Sequence, residues 1–300
     1  MNMSEKESNK VQEDNILTKD NYWNFKEKYK ENELSKMVFS HLGQNYHNRS
    51  QQKSKERQGK IKFYPSSIGK SDHDIVLEMM GYLGKPSRGE GLMIMENGTS
   101  FHNRIEHIFE EMGIMIAPEL SLKDEELHIS GRSDAIVWNY LKEEDEPDGE
   151  EITLIDPSGK VIYKGPENYV LLVEFKSISE NGYEKLKVSK PKQEHEDQLQ
   201  LYFYLTGITK GMVYYENKNN QKVKEYIIER DEERIDFIVK RIRRLIEMVK
   251  NKEVPEPEYT PGDFEGRFSN FLDFAYPNMN PVEFADLFVK KNETEDELPF

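Results

Sequence analysis

Cysteine is absent from all 300 residues. That excludes disulfides, thiol chemistry, Cys-ligated zinc and any cysteine-held iron–sulfur cluster. Long apolar runs are missing too: nothing approaches the ~18 to 20 residues that span a bilayer. The first residues, MNMSEKESNKVQEDN, are polar where a signal peptide would be apolar. The expectation is a cytoplasmic chain with no membrane association. Positive charge is the minority sign, 42 Lys and Arg against 57 Asp and Glu, for a net of −15. This argues against a surface coated by nucleic acid but leaves room for a local basic groove, because phosphate is met by a patch and not by net charge. What remains is a globular composition, 36% hydrophobic and 11% aromatic, with enough chain for one large domain or two small ones.

Residues 1–18 show no hydrophobic period and read as a disordered lead-in. Residues 19–62 form a helical and basic segment in which Trp23, Phe25 and Tyr29 can anchor helical stretches. Within it, Arg49, Lys53, Lys55, Arg57, Lys60 and Lys62 face only Glu56, a local net of +5. The run is either a DNA-contacting patch or a solvated loop. In FYPSSIGKSDHDIVLEMMGY, Ser66 or Ser67 can cap a helix carrying Ile75, Val76, Met79 and Met80 on one side, ended by Gly81 and Gly84-Lys85-Pro86. A second helix is expected from Thr99 or Ser100 to Met112, with a stripe of Phe101, Ile105, Ile108, Phe109 and Met112. His102 and Glu106 share the neighbouring face.

ELHISGRSDAIVW reads as strands that turn or bulge near Gly131, followed by an exposed acidic insertion, Glu143 to Glu151. VLLVEFK, from Val170, opens as a strand buried on both faces and ends with Glu174 and Lys176 on one face. A helix from about Glu194 to Thr206 follows, then a hairpin turning at Asn217 to Asn220. Next comes an amphipathic helix, Glu232 to Lys250, with Ile235, Ile238, Val239, Ile242, Leu245, Ile246 and Val249 inward. Pro255 and Pro257 close the domain at 63–257 and leave a C-terminal extension, 258–300.

Taken singly, the polar residues have bland readings. Asp134 is a turn residue, Glu174 and Lys176 a surface ion pair, His102 a structural histidine, Gln198 and Tyr202 one face of a helix. Yet Glu174 follows four apolar residues, where an unpaired carboxylate is expensive unless a cation compensates it. Together they form an ordered pattern: His102 on a helix, Gly131-Arg132-Ser133-Asp134 on a strand, Glu174-Phe175-Lys176 at the end of a buried strand, and Gln198 to Tyr202 on the next helix.

In this order the residues resemble the RecB-like exonuclease branch of the PD-(D/E)XK nuclease superfamily, which includes phage and CRISPR-associated RecB-like nucleases. The resemblance covers about Phe63 to Pro257. It implies an α/β fold with a restriction-endonuclease-like core, a central mixed β-sheet flanked by helices. It further implies a metal-dependent DNA nuclease, an exonuclease in phage or bacterial DNA recombination, repair or degradation, working in the host cytoplasm if phage-encoded. By the same resemblance Asp134, Glu174, Lys176, Gln198 and Tyr202 are catalytic, and the metal ligands are His102, Asp134, Glu174 and the backbone carbonyl of Phe175. Many relatives hold an iron–sulfur cluster with one cysteine in the opening segment, where this chain has Ser71 or a neighbour, and three near the end of the domain. This chain has none, so no such cluster is expected, and packing from the C-terminal extension is left to take over its structural role.

The chemistry agrees. A phosphodiester is already anionic, so its hydrolysis needs a cation to neutralise developing charge and to deliver hydroxide near neutral pH. Asp134 and Glu174 offer hard oxygens suited to Mg²⁺, and the His102 nitrogen favours Mn²⁺. Lys176, with its pKa depressed at the site, would orient or deprotonate the attacking water. Gln198 and Tyr202 would donate to phosphate or position Lys176, with no base specificity. The competing readings are an endonuclease of the same chemistry and a non-enzymatic DNA-end-binding or assembly protein on a nuclease scaffold. Lastly, Glu295-Asp296-Glu297-Leu298-Pro299-Phe300 resembles the acidic Pro-Phe tip by which bacterial single-stranded DNA-binding proteins recruit repair enzymes. It suggests a protein partner, occupation of the enzyme's own basic groove, or a solvated tail.

Overall fold

The computed structural model describes residues 33–57, 60–82, 84, 89–263, 266–267 and 269–276. The lead-in 1–18, the anchors Trp23, Phe25 and Tyr29, Lys85-Pro86 and the acidic tip lie outside the described residues. A five-stranded sheet forms the centre, in the order β1 (Met115–Pro118), β4 (Ala135–Trp138), β7 (Val170–Ile178), β8 (Lys210–Asn217), β9 (Val223–Glu229). Only β7 and β8 run parallel; the other neighbours are antiparallel. Two ribbons, β2 (Ser121–Asp124) with β3 (Ile129–Arg132) and β5 (Glu151–Ile155) with β6 (Val161–Pro166), stand beside it. This is the α/β architecture expected, a mixed sheet flanked by helices. No helix among the described residues is long and apolar enough to cross a membrane.

Among the described residues the helices include α1 (Leu34–Arg57), α2 (Asp72–Met79), α3 (Glu90–Glu111), α4 (Glu180–Glu184), α5 (Gln193–Thr206), α6 (Glu232–Asn251) and α7 (Leu272–Ala275). Strand β7 explains the layering. Val170 and Leu172 point into the larger core with Leu199 and Phe203 of α5 and the buried stripe of α6. Leu171, Val173 and Phe175 point the other way, against Phe101 and Ile105 of α3. Buried on both faces, the strand must be apolar along its first four residues, as its sequence is. Gly211 on β8 lets α5 come close: a Cβ there would stand 2.9 Å from Leu172 O, Leu199 Cδ2 and Phe203 Cζ.

Several expectations are corrected. Helix α2 is capped by Ser71, whose side chain accepts from the Asp74 amide, and not by Ser66 or Ser67, which lie in a separate 3₁₀ turn opened by Pro65. Helix α3 begins at Glu90 instead of Thr99 or Ser100; Thr99 lies inside it, its hydroxyl bonding back to the Met95 carbonyl and capping nothing. Ile108 and Met112 are exposed, since this part of α3 turns inward only Phe101, Ile105 and the half-buried Phe109; the helix also meets α1. The chain neither turns nor bulges at Gly131. It runs straight through β3 and breaks at Ser133-Asp134; Gly131 lacks a side chain because the Pro65 ring would lie 2.8 Å from it. Arg49 to Arg57 is helical, so that part of the basic run is no loop. The ribbon β5–β6 was not anticipated, although Asp156-Pro157-Ser158-Gly159 is a strong turn signal.

Chain past Pro257 returns to α2. Tyr259, Phe271 and Leu272 are buried, and the Tyr259 hydroxyl donates to Asp74 Oδ1 at 2.6 Å and pairs with Ser269 Oγ at 2.7 Å. On the same helix Asp72 accepts from Arg241 Nε at 2.8 Å and pairs with Arg244, while Arg241 also reaches the carbonyls of Ile68 and Lys70.

Candidate active site

The antiparallel register of β4 on β7 pairs Ala135 with Val173, so the next residues outward, Asp134 and Glu174, stand side by side. The peptide amide of Phe175 donates to Asp134 Oδ2 at 2.7 Å and fixes that carboxylate. Its other oxygen lies 3.3 Å from His102 Nδ1 on α3. The His102 ring meets Phe101 and Phe175 edge-on, at centroid distances of 5.7 Å, which holds it at the rim of the smaller core and outside its stripe.

Glu174 is 1% exposed and forms a 2.6 Å ion pair through Oε1 with Lys176 Nζ; its Oε2 is buried without a hydrogen-bond partner. Lys176 Nζ also donates to Gln198 Oε1 at 3.1 Å. Gln198 Nε2 donates to the Tyr202 hydroxyl at 3.1 Å, and that hydroxyl donates to the Arg132 carbonyl at 2.6 Å. Residues 198 and 202 are one helical turn apart on the face of α5 that covers β7. A single chain of polar contacts thus links α5, β7 and the end of β3, while Asp134 joins β7 to α3.

Electrostatics follow from this crowding. Burial, then the charge of Asp134, push the Glu174 carboxyl up to about 7, against the pull of Lys176. His102 is raised: burial alone would lower it, but the hydrogen bond and charge of Asp134 and the charge of Glu174 outweigh that. Lys176 goes opposite to expectation. Desolvation would depress its ammonium, yet the adjacent charges of Glu174 and Asp134 prevail and its pKa is raised. Tyr202 is raised well above its usual value by burial, so it stays a hydroxyl donor.

All the sequence-predicted site residues converge here: His102, Asp134, Glu174, Phe175, Lys176, Gln198 and Tyr202. Sequence reasoning missed His195. It precedes Gln198 by three residues on the same helix, and its Nδ1 is 2.6 Å from the Tyr215 hydroxyl. The Lys192 amide donates to that hydroxyl, which therefore gives its proton to Nδ1. Burial and the charges of Lys176 and Lys192 push His195 down to about 2. The i, i+3 spacing was the available signal. Glu106, one turn from His102, also feels the site: burial and Glu119 raise it, with a smaller push from Asp134.

Among the described residues no three His, Asp or Glu side chains stand together as a ready cage for an ion. The donors nevertheless fit a hard divalent cation. Two neighbouring carboxylates repel one another, one oxygen of Glu174 is orphaned, and an imidazole stands on the far side of Asp134.

No protein-family model matches the chain, and no curated protein matches it. Among solved structures it is similar to SSO0001, at 15% identity and a TM-score of 0.44 over 81% of this chain and 98% of that one. It is also similar to the alkaline exonuclease LHK-Exo of Laribacter hongkongensis, at 15% identity and 0.44 over 67% and 93%, and to LHK-Exo in complex with dAMP, at 16% and 0.43 over 66% and 91%. Likenesses this distant do not reach individual residues, whose chemistry rests on the distances and burial within this chain.

Proposed function

We propose that the protein is a metal-dependent DNA nuclease of the RecB-like exonuclease kind, with residues 63–257 as the catalytic unit, acting on phage or bacterial DNA in the cytoplasm. The observation that supports this most is the buried Glu174, carrying an orphaned oxygen beside Asp134 and bonded to Lys176, in the middle of β7 after four apolar residues. A protein without catalysis to perform has no physical reason to keep that charge there. Asp134, Glu174, His102 and the Phe175 carbonyl would hold Mg²⁺ or Mn²⁺. Such a cation supplies charge neutralisation at the phosphoryl oxygens and a more acidic water.

The ammonium of Lys176 has three protons, two directed at Glu174 Oε1 and Gln198 Oε1, which leaves one for the attacking water or a phosphoryl oxygen. Held protonated, Lys176 orients and neutralises; it does not take the proton. Gln198 and Tyr202 are positioning residues, because the Tyr202 hydroxyl is engaged by Arg132 and Gln198 bridges it to Lys176. None of these contacts reads a base, so cleavage is sequence-independent. The basic run Arg49 to Lys62 adds affinity for the phosphate backbone.

The test is direct. Purified protein is given linear and circular DNA, single- and double-stranded, with Mg²⁺, Mn²⁺ or EDTA. Metal-dependent consumption of linear DNA with circles spared is expected; cutting of circles would make it an endonuclease, and no hydrolysis of any substrate with either metal would overturn the reading.

A further inference from the structure

Residues 185–192 read Lys-Leu-Lys-Val-Ser-Lys-Pro-Lys, four lysines and no acid in a chain whose net charge is −15. They join α4 to α5. Leu186 and Pro191 are buried near the two ends, residues 187–190 between them are exposed, and Val188 at the tip is fully so. The base of the loop is fixed: the Tyr226 hydroxyl donates to the Lys187 carbonyl at 2.6 Å, and the Lys192 amide to the Tyr215 hydroxyl at 3.2 Å. Among the described residues no carboxylate lies within ion-pair distance of Lys185, Lys187 or Lys190, although Lys190 acts on Glu196 and borders a cleft with Glu229 and Asp231, while Lys192 has Glu194 at 3.6 Å. Lys224 of β9 stands alongside, its Nζ 4.4 Å from the centre of the Tyr183 ring.

Position gives this charge a purpose. The segment from β7 through α4 and α5 to β8 is a crossover between parallel strands, so the loop and the first turn of α5 lie beyond the carboxyl end of β7. Lys176 lies two residues inside that end and Glu174 four. The α5 end of the loop is near the site, where Glu194 acts on Lys176 and Lys192 on His195, and Lys190 acts on Glu196 of the same helix.

We infer that residues 185–192 form a DNA-gripping loop, in which Lys185, Lys187 and Lys190 hold successive phosphates next to the scissile bond. The inference rests on the nuclease reading and deepens it. Lysine is a point charge on a flexible stem, suited to backbone phosphates and indifferent to sequence. Three lysines with no described carboxylate within ion-pair distance, on a loop with a fixed base, match the repeating charge of a strand led toward β7. Val188 at the tip offers an apolar contact to a sugar or base face.

The test uses the full chain with Lys185→Gln, Lys187→Gln and Lys190→Gln combined. These side chains are outside the metal site, and an unchanged melting temperature would verify the fold. Binding of a fluorescent single strand of about 20 nucleotides, and of its duplex, is measured on a Glu174→Gln background across salt concentrations. The triple substitution should weaken binding at least tenfold near 0.1 M salt and reduce the log K against log salt slope by about 2, since each phosphate that a lysine neutralises adds roughly 0.7 to 0.9 to that slope. In the otherwise native enzyme, KM for linear DNA should rise while kcat at saturation stays within about twofold. An unchanged slope and KM, with DNA still cleaved, would overturn the loop and leave the nuclease standing. Loss of the slope in a protein that cleaves nothing would keep the loop and remove the nuclease. Equal displacement of the DNA by a poly-glutamate peptide of the same charge would reassign the loop to acidic proteins.

Discussion

Among the described residues, the carboxylates of α2 and that of Glu174 on β7 are buried and treated in opposite ways, while Asp197 and Glu216 are each answered by an arginine. On α2, Asp72 and Asp74 are almost wholly buried, yet Asp72 is answered by Arg241 and Arg244, and Asp74 by Tyr259. These contacts fasten α2 to α6 and to the chain beyond Pro257. On β7, Glu174 stands beside Asp134 with the Lys176 ammonium bonded to it, and Glu174 keeps an oxygen with no partner. Full satisfaction marks a structural brace. Incomplete satisfaction is what the proposed cation would relieve, because a buried unpaired oxygen is destabilising by about 1 to 3 kcal/mol.

Substitutions sharpen the contrast. Glu174→Gln should lower hydrolysis of linear DNA at least a thousandfold, about 4 kcal/mol of transition-state stabilisation, without lowering the melting temperature. Full activity in the purified variant would remove Glu174 from the metal site. Asp72→Ala should do the reverse. Losing the shared partner of two arginines is expected to destabilise the fold by about 3 kcal/mol in chemical denaturation, while specific activity of the folded fraction is retained. If Asp72→Ala instead abolished cleavage in stable protein, the brace would have to be redrawn as part of the site.

The pH dependence separates the two clusters next. Because the Glu174 carboxyl is raised from the usual carboxylate range to about 7 by burial and Asp134, the folded chain holds that proton more tightly than the unfolded one. Its contribution is therefore fully present below about pH 4.5 and is lost as pH rises toward and through 7. Stability of metal-free wild type should fall relative to Glu174→Gln across that window by on the order of 2 to 3 kcal/mol. Mg²⁺ or Mn²⁺ added above pH 7 should restore it. A flat difference between the two proteins, measured by denaturation at several pH values, would show that Glu174 is satisfied after all. The smallest effect belongs to the brace: Tyr259→Phe, which removes the hydroxyl bonded to Asp74, should be destabilising by about 1 kcal/mol and leave cleavage unchanged.

Much of this was open to sequence reading where neighbours along the chain decide the outcome. The four apolar residues before Glu174, the 3.6-residue period of α6 and the alternation around the β8–β9 turn each report a local environment. Element starts were less legible. A Ser or Thr can cap a helix or bond back within one, and Thr99 does the latter; α3 begins nine residues earlier than its polar residues suggest. The β5–β6 ribbon was overlooked beside a conspicuous acidic loop.

The order and chemical types of His102, Asp134, Glu174, Lys176, Gln198 and Tyr202 were set by the sequence alone, as was the exclusion of any cysteine-held group. Their protonation was not. Lys176 was expected to be depressed because burial disfavours a cation, but its pKa depends on which charges the fold brings within a few ångströms. Strand register puts Glu174 at 2.6 Å with Asp134 beside it, and those two anions outweigh desolvation. Coulomb energy depends on distance through space, so the sign of that shift and the gap left at Glu174 Oε2 were decided only when β3, β4, β7, α3 and α5 were packed together.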